Sequence, residues 1–113
     1  CARSTAGGIV IAVADFQTSR PIAAQAADEL LNIIGVRASI VAFPLGDDIV
    51  VSARSMGSVN VQIITEMLGG GGSLTAAGAQ MKNTDSRTAT ERIYHAVETY
   101  LECQSAQEDE ETQ

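Results

Sequence analysis

A run of four glycines, Gly69, Gly70, Gly71 and Gly72, followed by Ser73, is the clearest candidate for ligand chemistry in this sequence. Backbone amides without side chains in the way can form a concave nest for an anion. The run follows a predicted helix, however, and the negative end of a helix dipole disfavours an anion. It matches neither GxGxxG nor GxxxxGK[ST]. The glycines alone therefore leave two interpretations open, a plain helix-ending loop or an anion nest.

Arg54 is the cation that the pattern places best for binding a phosphate. It ends a predicted strand whose apolar neighbours hold its position, and Ser55 and a turn at Gly57 follow it. A guanidinium on a rigid element can bind a phosphate through paired hydrogen bonds. The alternative is a solvated arginine at the end of a strand.

The sequence shows no pattern typical of a catalytic centre. Hydrolysis of a phosphodiester at a metal ion needs several converging carboxylates and usually histidines. The chain has one histidine, His95, and no Asp-x-Asp or Asp-His-His cluster. On its predicted helix His95 lies about 200° from Ile93, away from the buried stripe, so we interpret it as a surface residue. We therefore predict no catalytic residue and no metal ligand, and we expect the isolated chain to cut nothing.

Length and charge limit the class of partner. The 113 residues fit one domain, and the formal net charge of −7 comes from 14 acidic and 7 basic residues. A long nucleic acid would be repelled, whereas a small nucleotide needs only one or two well-placed cations. Four consecutive acidic residues near the end of the chain favour a solvated, disordered tail over residues 105–113. No apolar run approaches the roughly 18 residues of a membrane span.

The elements that must position these residues follow the order βαββαβα. Residues 8–14 form a continuous apolar run, which is typical of a strand buried on both faces. Residues 38–43 and 48–54 flank a turn and predict an antiparallel hairpin, while residues 74–81 predict a short strand or a helical piece. We expect a mixed sheet of about four strands with helices packed on it, an α/β domain. The domain is predicted over residues 8–104, after an N-terminal linker at 1–7.

Three helices complete the series, and each has a predicted start. The first begins at Pro21 and has a buried stripe at helical spacing. The second is capped by Ser58 or Asn60. The third begins near Asp85 or Ser86, with a capping box at Thr88-x-x-Glu91. The predicted stripe of the first helix consists of Ile22, Ala26, Leu30, Ile33 and Ile34.

Two parts of the chain resemble a known family. The stretch from Ile49 to Gly72, with its Ser-Ala-Arg-Ser, Asn-Val-Gln and glycine motifs, resembles the DHH-associated domain of DHH-family phosphoesterases. The Leu-Thr-Ala-Ala-Gly-Ala-Gln-Met segment at 74–81 continues the match. Upstream, Ala-Gln-Ala-Ala-Asp-Glu-Leu-Leu at 24–31 and Gly-Val-Arg-Ala-Ser at 35–39 are similar to the cyclic di-AMP phosphodiesterases of the GdpP/YybT type.

The resemblance implies a role beside another domain. In such proteins an upstream DHH domain holds two manganese ions, and the DHH-associated domain closes over the cleft and binds the nucleotide. In the GdpP/YybT type that nucleotide is cyclic di-AMP, which is hydrolysed to linear pApA, and membrane helices that precede the catalytic part place this domain in the cytoplasm. The resemblance thus implies a manganese cofactor outside this chain and a DHH-domain partner, while the sequence leaves both a monomer and a homodimer open. Carried over to this sequence, the substrate-binding residues would be Arg54, Ser55, Asn60, Gly69, Gly70, Gly71, Gly72 and Ser73.

Ser73 departs from the family, in which a histidine follows the four glycines. A serine hydroxyl donates a hydrogen bond but carries no positive charge, and loss of a charge-assisted bond removes about 1.5–3 kcal/mol. The departure keeps open a regulatory nucleotide-binding module whose parent protein is catalytically impaired. A nucleic-acid-handling relative, such as a nanoRNase, an exonuclease or a synthetase accessory domain, is a further alternative, against which the absence of a basic stripe counts.

Overall fold

The strands of the chain join into one sheet with helices on both faces. The structure is a computed structural model that describes residues 2–4 and 6–111, with side chains described for residues 7–105. The elements are β1 (Ala2–Ser4), a 3₁₀ turn (Ala6–Gly8), β2 (Ile9–Val13), α1 (Arg20–Leu30), β3 (Ala38–Leu45), β4 (Asp48–Ser55), α2 (Val61–Glu66), β5 (Gly71–Gly72), β6 (Ala76–Met81) and α3 (Ser86–Glu111).

The sheet is mixed, with the strand order β1-β2-β3-β4-β6-β5. Strands β2 and β3 are parallel, and α1 supplies the crossover that such a pair requires. All other neighbours are antiparallel, including the hairpin of β3 and β4. The register places Arg54 beside Ala76 of β6, so the end of β4 meets the beginning of β6.

The two faces of the sheet have separate cores, because side chains alternate along each strand. Along β4, Ile49, Val51 and Ala53 belong to the larger core, which also contains buried residues of α2 and α3. Val50 belongs to a smaller core that contains Ala23 and Ala27 of α1. Arg54 shares the parity of Val50, so its side chain lies on the α1 face.

Helix α1 packs through small side chains rather than through the predicted stripe. Ala23 and Ala27 are buried, and Ala26 and Leu30 are half-buried, as the stripe requires. The stripe is wrong for Ile22, Ile33 and Ile34, which are 59%, 53% and 101% exposed. Ile33 and Ile34 follow the end of the helix at Leu30 and leave the helical phase. Ile22 lies within the helix, one position before the buried Ala23, and faces away from the sheet.

Helix α3 begins at a different cap from the predicted box. The Asp85 carboxylate accepts the Thr88 backbone N–H at 2.7 Å, which makes Asp85 the cap and places Thr88 inside the first turn. The capping box at Thr88 is therefore wrong, whereas a start near Asp85 or Ser86 is confirmed. No helix within the described part of the chain is long and apolar enough to cross a membrane.

The predicted α/β class and the order of its main elements are confirmed, and residues 74–81 contain the strand β6 rather than a helical piece. Two strands were not predicted, β1 and β5, because the first has three residues and the second only two glycines. Strand β1 lies within the predicted linker, and α3 continues into the predicted tail. Residues 1, 5, 112 and 113 of those segments lie outside the described residues, and the division at 8 and 104 stays a prediction.

Candidate functional site

The segments that contain the predicted site residues are joined at one end of the sheet, around the turn of residues 73–75. The Ser73 backbone N–H donates to the Ala76 carbonyl at 2.8 Å, and the Ser55 N–H donates to the Thr75 carbonyl at 2.9 Å. The Val61 N–H, at the start of α2, donates to the Leu74 carbonyl at 3.2 Å. The end of β4, the start of α2 and the glycine strand β5 are therefore joined around one turn.

The Arg54 guanidinium is held in place but keeps donors to spare. Its Nε lies 3.3 Å from Oδ1 of Asp28 on α1, and its Nη1 donates to the Ala53 carbonyl at 2.8 Å. An arginine has five N–H donors in a fixed fork, so these contacts leave most of the fork for a ligand. The Arg54 side chain is 23% exposed and that of Asp28 is 64% exposed, so solvent screens their attraction.

Arg54 lines an open cleft of about 340 Å³ on the α1 face of the sheet. The cleft exists because α1 packs on β3 and β4, which leaves the β4–β6 border uncovered. Small side chains make its floor, and a second arginine, Arg20, lines it as well. The other residues around the cleft are Ala24, Phe43, Val50, Val51, Ser52, Ala76, Ala77 and Gly78. A larger cavity of about 460 Å³, between β2 and α3, contains none of the predicted site residues.

The first two glycines of the run end α2. Gly69 has a φ of +87°, which favours glycine. Its N–H donates to the Glu66 carbonyl at 3.1 Å, and the Gly70 N–H donates to the Thr65 carbonyl at 2.9 Å. Gly69 and Gly70 therefore form the loop that ends the helix, and their N–H groups are hydrogen-bonded within the chain. An anion nest stays a prediction only for Gly71 and Gly72.

Packing against β6 explains why positions 70 and 72 are glycines, but it does not explain the glycine at position 71. A Cβ on Gly70 would overlap the Gly78 carbonyl oxygen, and a Cβ on Gly72 would lie 2.5 Å from the Ala77 Cα. Strand β6 thus excludes a side chain at both positions. A Cβ on Gly71 would meet nothing within 4 Å, so no contact within the described chain requires a glycine there.

The remaining predicted side chains already make local hydrogen bonds. Ser73 Oγ donates to the Ala76 carbonyl at 3.1 Å and accepts from the Ala76 N–H at 3.2 Å. Ser55 is buried, and its Oγ accepts the Gly57 N–H at 2.9 Å. Asn60 Oδ1 accepts the Gln62 N–H at 3.1 Å, so Asn60 rather than Ser58 caps α2. Contact of these residues with a substrate stays a prediction.

Arg20 is a candidate that the sequence analysis missed. Its Nη2 donates to Oε1 of Gln80 on β6 at 2.7 Å, and Gln80 Nε2 donates to Oδ2 of Asp48 at 2.8 Å. The Asn83 N–H, together with Gln80, holds the pKa of Asp48 below its usual value, because both stabilise the charged carboxylate. The available signal in the sequence was helical spacing: Arg20, Ala24 and Asp28 follow one another at intervals of four, which places them on one face of a helix.

The described residues do not fit a metal site. Within residues 7–105, no three His, Cys, Asp or Glu side chains form a group that could hold a metal ion. His95 is exposed on α3, which confirms it as a surface residue. The manganese implied for a separate DHH domain stays a prediction.

Comparisons with known proteins agree on one family. A family model described as the DHHA1 domain matches residues 6–104. The chain is 45% identical over 98 residues to the cyclic-di-AMP phosphodiesterase GdpP of Geobacillus thermodenitrificans, covering 84% of this chain and 15% of that protein. It is 42% identical over 87 residues to the cyclic-di-AMP phosphodiesterase PdeA of Listeria monocytogenes, covering 76% of this chain and 13% of that protein.

Among solved structures, an exopolyphosphatase-related protein from Bacteroides fragilis has the same fold. The TM-score is 0.70 at 22% identity, and the match covers 82% of this chain and 29% of that one. The chain thus spans about a seventh of the length of the curated relatives named above.

Proposed function

Because the chain belongs to the DHHA1 domain family, we propose that it is the substrate-binding part of a phosphodiesterase and that Arg54 binds a phosphate of cyclic di-AMP. The resemblance stated from the sequence is confirmed by the family match and by the GdpP and PdeA relatives. The bond-breaking step would take place in an upstream DHH domain that holds manganese, on the cytoplasmic side of a membrane-anchored protein.

The observation that carries the proposal is the placement of the Arg54 guanidinium. It is oriented by Asp28 and by the Ala53 carbonyl, with donors left over, and it borders an open cleft. A held guanidinium loses less side-chain entropy when it binds a phosphate than a free one does. In a chain with a net charge of −7, such a site supplies the local positive charge that a nucleotide needs.

The empty space beside Gly71 supports the proposal that the ligand or the neighbouring domain approaches this same end of the sheet. It lies in β5 opposite Gly78 of β6, and nothing in the described chain fills the space beside it. A glycine whose Cβ position is empty allows another molecule to approach the backbone closely. The ligand or the neighbouring domain would occupy that space.

Ser73 favours a second candidate, a regulatory nucleotide-binding module. Its hydroxyl both donates to and accepts from Ala76, so it is engaged within the turn and does not replace the family's charged histidine. In such a module the chain would still bind the nucleotide through Arg54, but the parent protein would hydrolyse it slowly or not at all. Binding and turnover therefore have to be measured separately.

Replacement of Arg54 tests the proposed function. We expect Arg54→Gln to weaken cyclic di-AMP binding by about ten- to a hundredfold, since a charge-assisted bond contributes about 1.5–3 kcal/mol. The measurement is a titration of the labelled chain with cyclic di-AMP, followed by NMR chemical shifts. Arg92→Gln removes the same charge from an exposed position on α3 and serves as the matched control.

Asp28→Asn extends the test in the opposite direction. The asparagine carboxamide oxygen can still accept from Arg54 Nε and orient it, but the negative charge that opposes a phosphate is removed, so binding should tighten. Equal affinity of the wild type and Arg54→Gln would remove the proposed role of Arg54.

A further inference from the structure

We infer that Arg20 is a second phosphate-binding residue of the same cleft, where it binds the other phosphate of the dinucleotide. The inference rests on the proposed function, since it assumes that Arg54 binds the first phosphate. It adds a second arginine to the cleft, anchored at Gln80 of β6.

The two arginines border one cleft but are anchored at separate points along it. Both line the space of about 340 Å³ between α1 and the β4–β6 border. Gln80, the acceptor for Arg20, pairs with Val50, which precedes Arg54 by four residues, roughly 13 Å along β4. Asp28, the ion-pair partner of Arg54, follows Arg20 by about two helical turns, roughly 12 Å along α1. A phosphate oxygen must lie about 3 Å from its donor, so each arginine would bind its own phosphate.

The partners of the two guanidinium groups differ in charge. Arg54 contacts the carboxylate of Asp28, whereas Arg20 donates to the neutral carboxamide of Gln80. Among the side chains that the structure describes, no carboxylate lies within ion-pair distance of Arg20. Gln80 is itself held by Asp48, which fixes the acceptor that orients Arg20. Arg20 is thus positioned by a neutral partner rather than by a carboxylate that would offset its positive charge.

The floor between the arginines suits the uncharged part of such a ligand. Ala24, Ser52, Ala76 and Gly78 line it, and none has a side chain larger than a hydroxymethyl group. A ribose or a base could rest on this surface while its two phosphates reach the two arginines. Ser52 adds one hydroxyl that can donate to or accept from the sugar.

Arg20 has a structural alternative, because its bond to Gln80 links α1 to β6. A purely structural arginine would change the stability of the chain without distinguishing between ligands. The two roles are therefore separated by comparing a ligand with one phosphate and a ligand with two.

The experiment titrates cyclic di-AMP and AMP into the wild-type chain and into Arg20→Gln, Arg54→Gln and the charge control Arg92→Gln. We expect Arg20→Gln to weaken cyclic di-AMP binding by about tenfold, the loss of one charge-assisted bond, and AMP binding by less than about twofold. Arg54→Gln should weaken both ligands, and Arg92→Gln neither. Thermal unfolding of each variant shows whether the fold is retained.

Each outcome decides between the two proposals. If Arg20→Gln leaves cyclic di-AMP binding unchanged, or weakens AMP equally, the second phosphate site is wrong while the proposed function stands. If the wild-type chain binds neither ligand, both are wrong. If Arg20→Gln unfolds the chain, Arg20→Met replaces it, because methionine keeps an apolar stem but loses the charge. Equal cyclic di-AMP affinities of Arg20→Met and the wild type would then overturn the second phosphate site.

Discussion

The two faces of the sheet are built differently. The face beneath α2 and α3, called the closed face, is covered by the larger apolar core, which includes Ile40, Val51, Ile64 and Ile93. A cavity of about 460 Å³ lies at its border, between β2 and α3. The face beneath α1 has a smaller core around Phe43, and its β4–β6 border stays open as the arginine-lined cleft. Burial of apolar surface is the main stabilising term in folding, so the closed face should carry most of the stability. The open face contributes less to stability, so it can contain polar residues and bind a ligand.

The largest expected loss of stability comes from a substitution on the closed face. Ile93 is fully buried on α3, and Ile93→Ala should lower the free energy of unfolding by about 2–5 kcal/mol, because it leaves a cavity. On the open face, Ser52→Ala should change it by less than about 0.5 kcal/mol. Denaturant unfolding of both variants checks the contrast. Equal losses would show that the open face carries as much of the fold as the closed one.

A smaller difference in stability is expected between alanine substitutions at the neighbouring glycines Gly70 and Gly71. In Gly70→Ala the new Cβ meets the backbone of β6, and such overpacking costs about 1–3 kcal/mol. In Gly71→Ala the Cβ meets open space, so stability should stay within about 0.5 kcal/mol of the wild type, while cyclic di-AMP binding weakens. Unfolding and binding are measured on both variants. A destabilised Gly71→Ala would show that the fold itself requires that glycine.

The smallest effect is a pH dependence at the start of α3, which covers the closed face. The Thr88 N–H, with smaller contributions from the Thr88 hydroxyl and the charge of Arg87, holds the pKa of Asp85 below its ordinary value of 3.8. The stability from this carboxylate is therefore present above that value and is lost as the pH falls through the lower folded pKa. Asp85→Asn should lose less stability than the wild type over this acid range.

Thermal midpoints recorded between neutral and strongly acid pH provide the measurement. Glu98→Gln removes a carboxylate from an exposed position on the same helix and is the matched control. Parallel pH curves for the wild type and Asp85→Asn would show that the cap makes no such contribution.

Much of the site could be predicted because it lies in short, continuous motifs. Arg54 and the glycine run stand out by residue type alone, and the register brings their segments together around the turn of residues 73–75. The local roles of Ser55, Asn60 and Ser73 could not be predicted, because a hydroxyl or carboxamide at a turn bonds whichever backbone group the turn presents. Whether these three also contact a substrate stays a prediction.

The sequence by itself determined the order of the main elements, since apolar periodicity and turn residues act over a few neighbouring positions. It also determined the family, which the residues from Ile49 to Gly72 indicate. Only the tertiary structure decided that Arg54 points to the α1 face and shares its cleft with Arg20. Strand register and the packing of a helix across the sheet set that arrangement. Both depend on contacts between residues far apart in the chain, which no local pattern of residue types records.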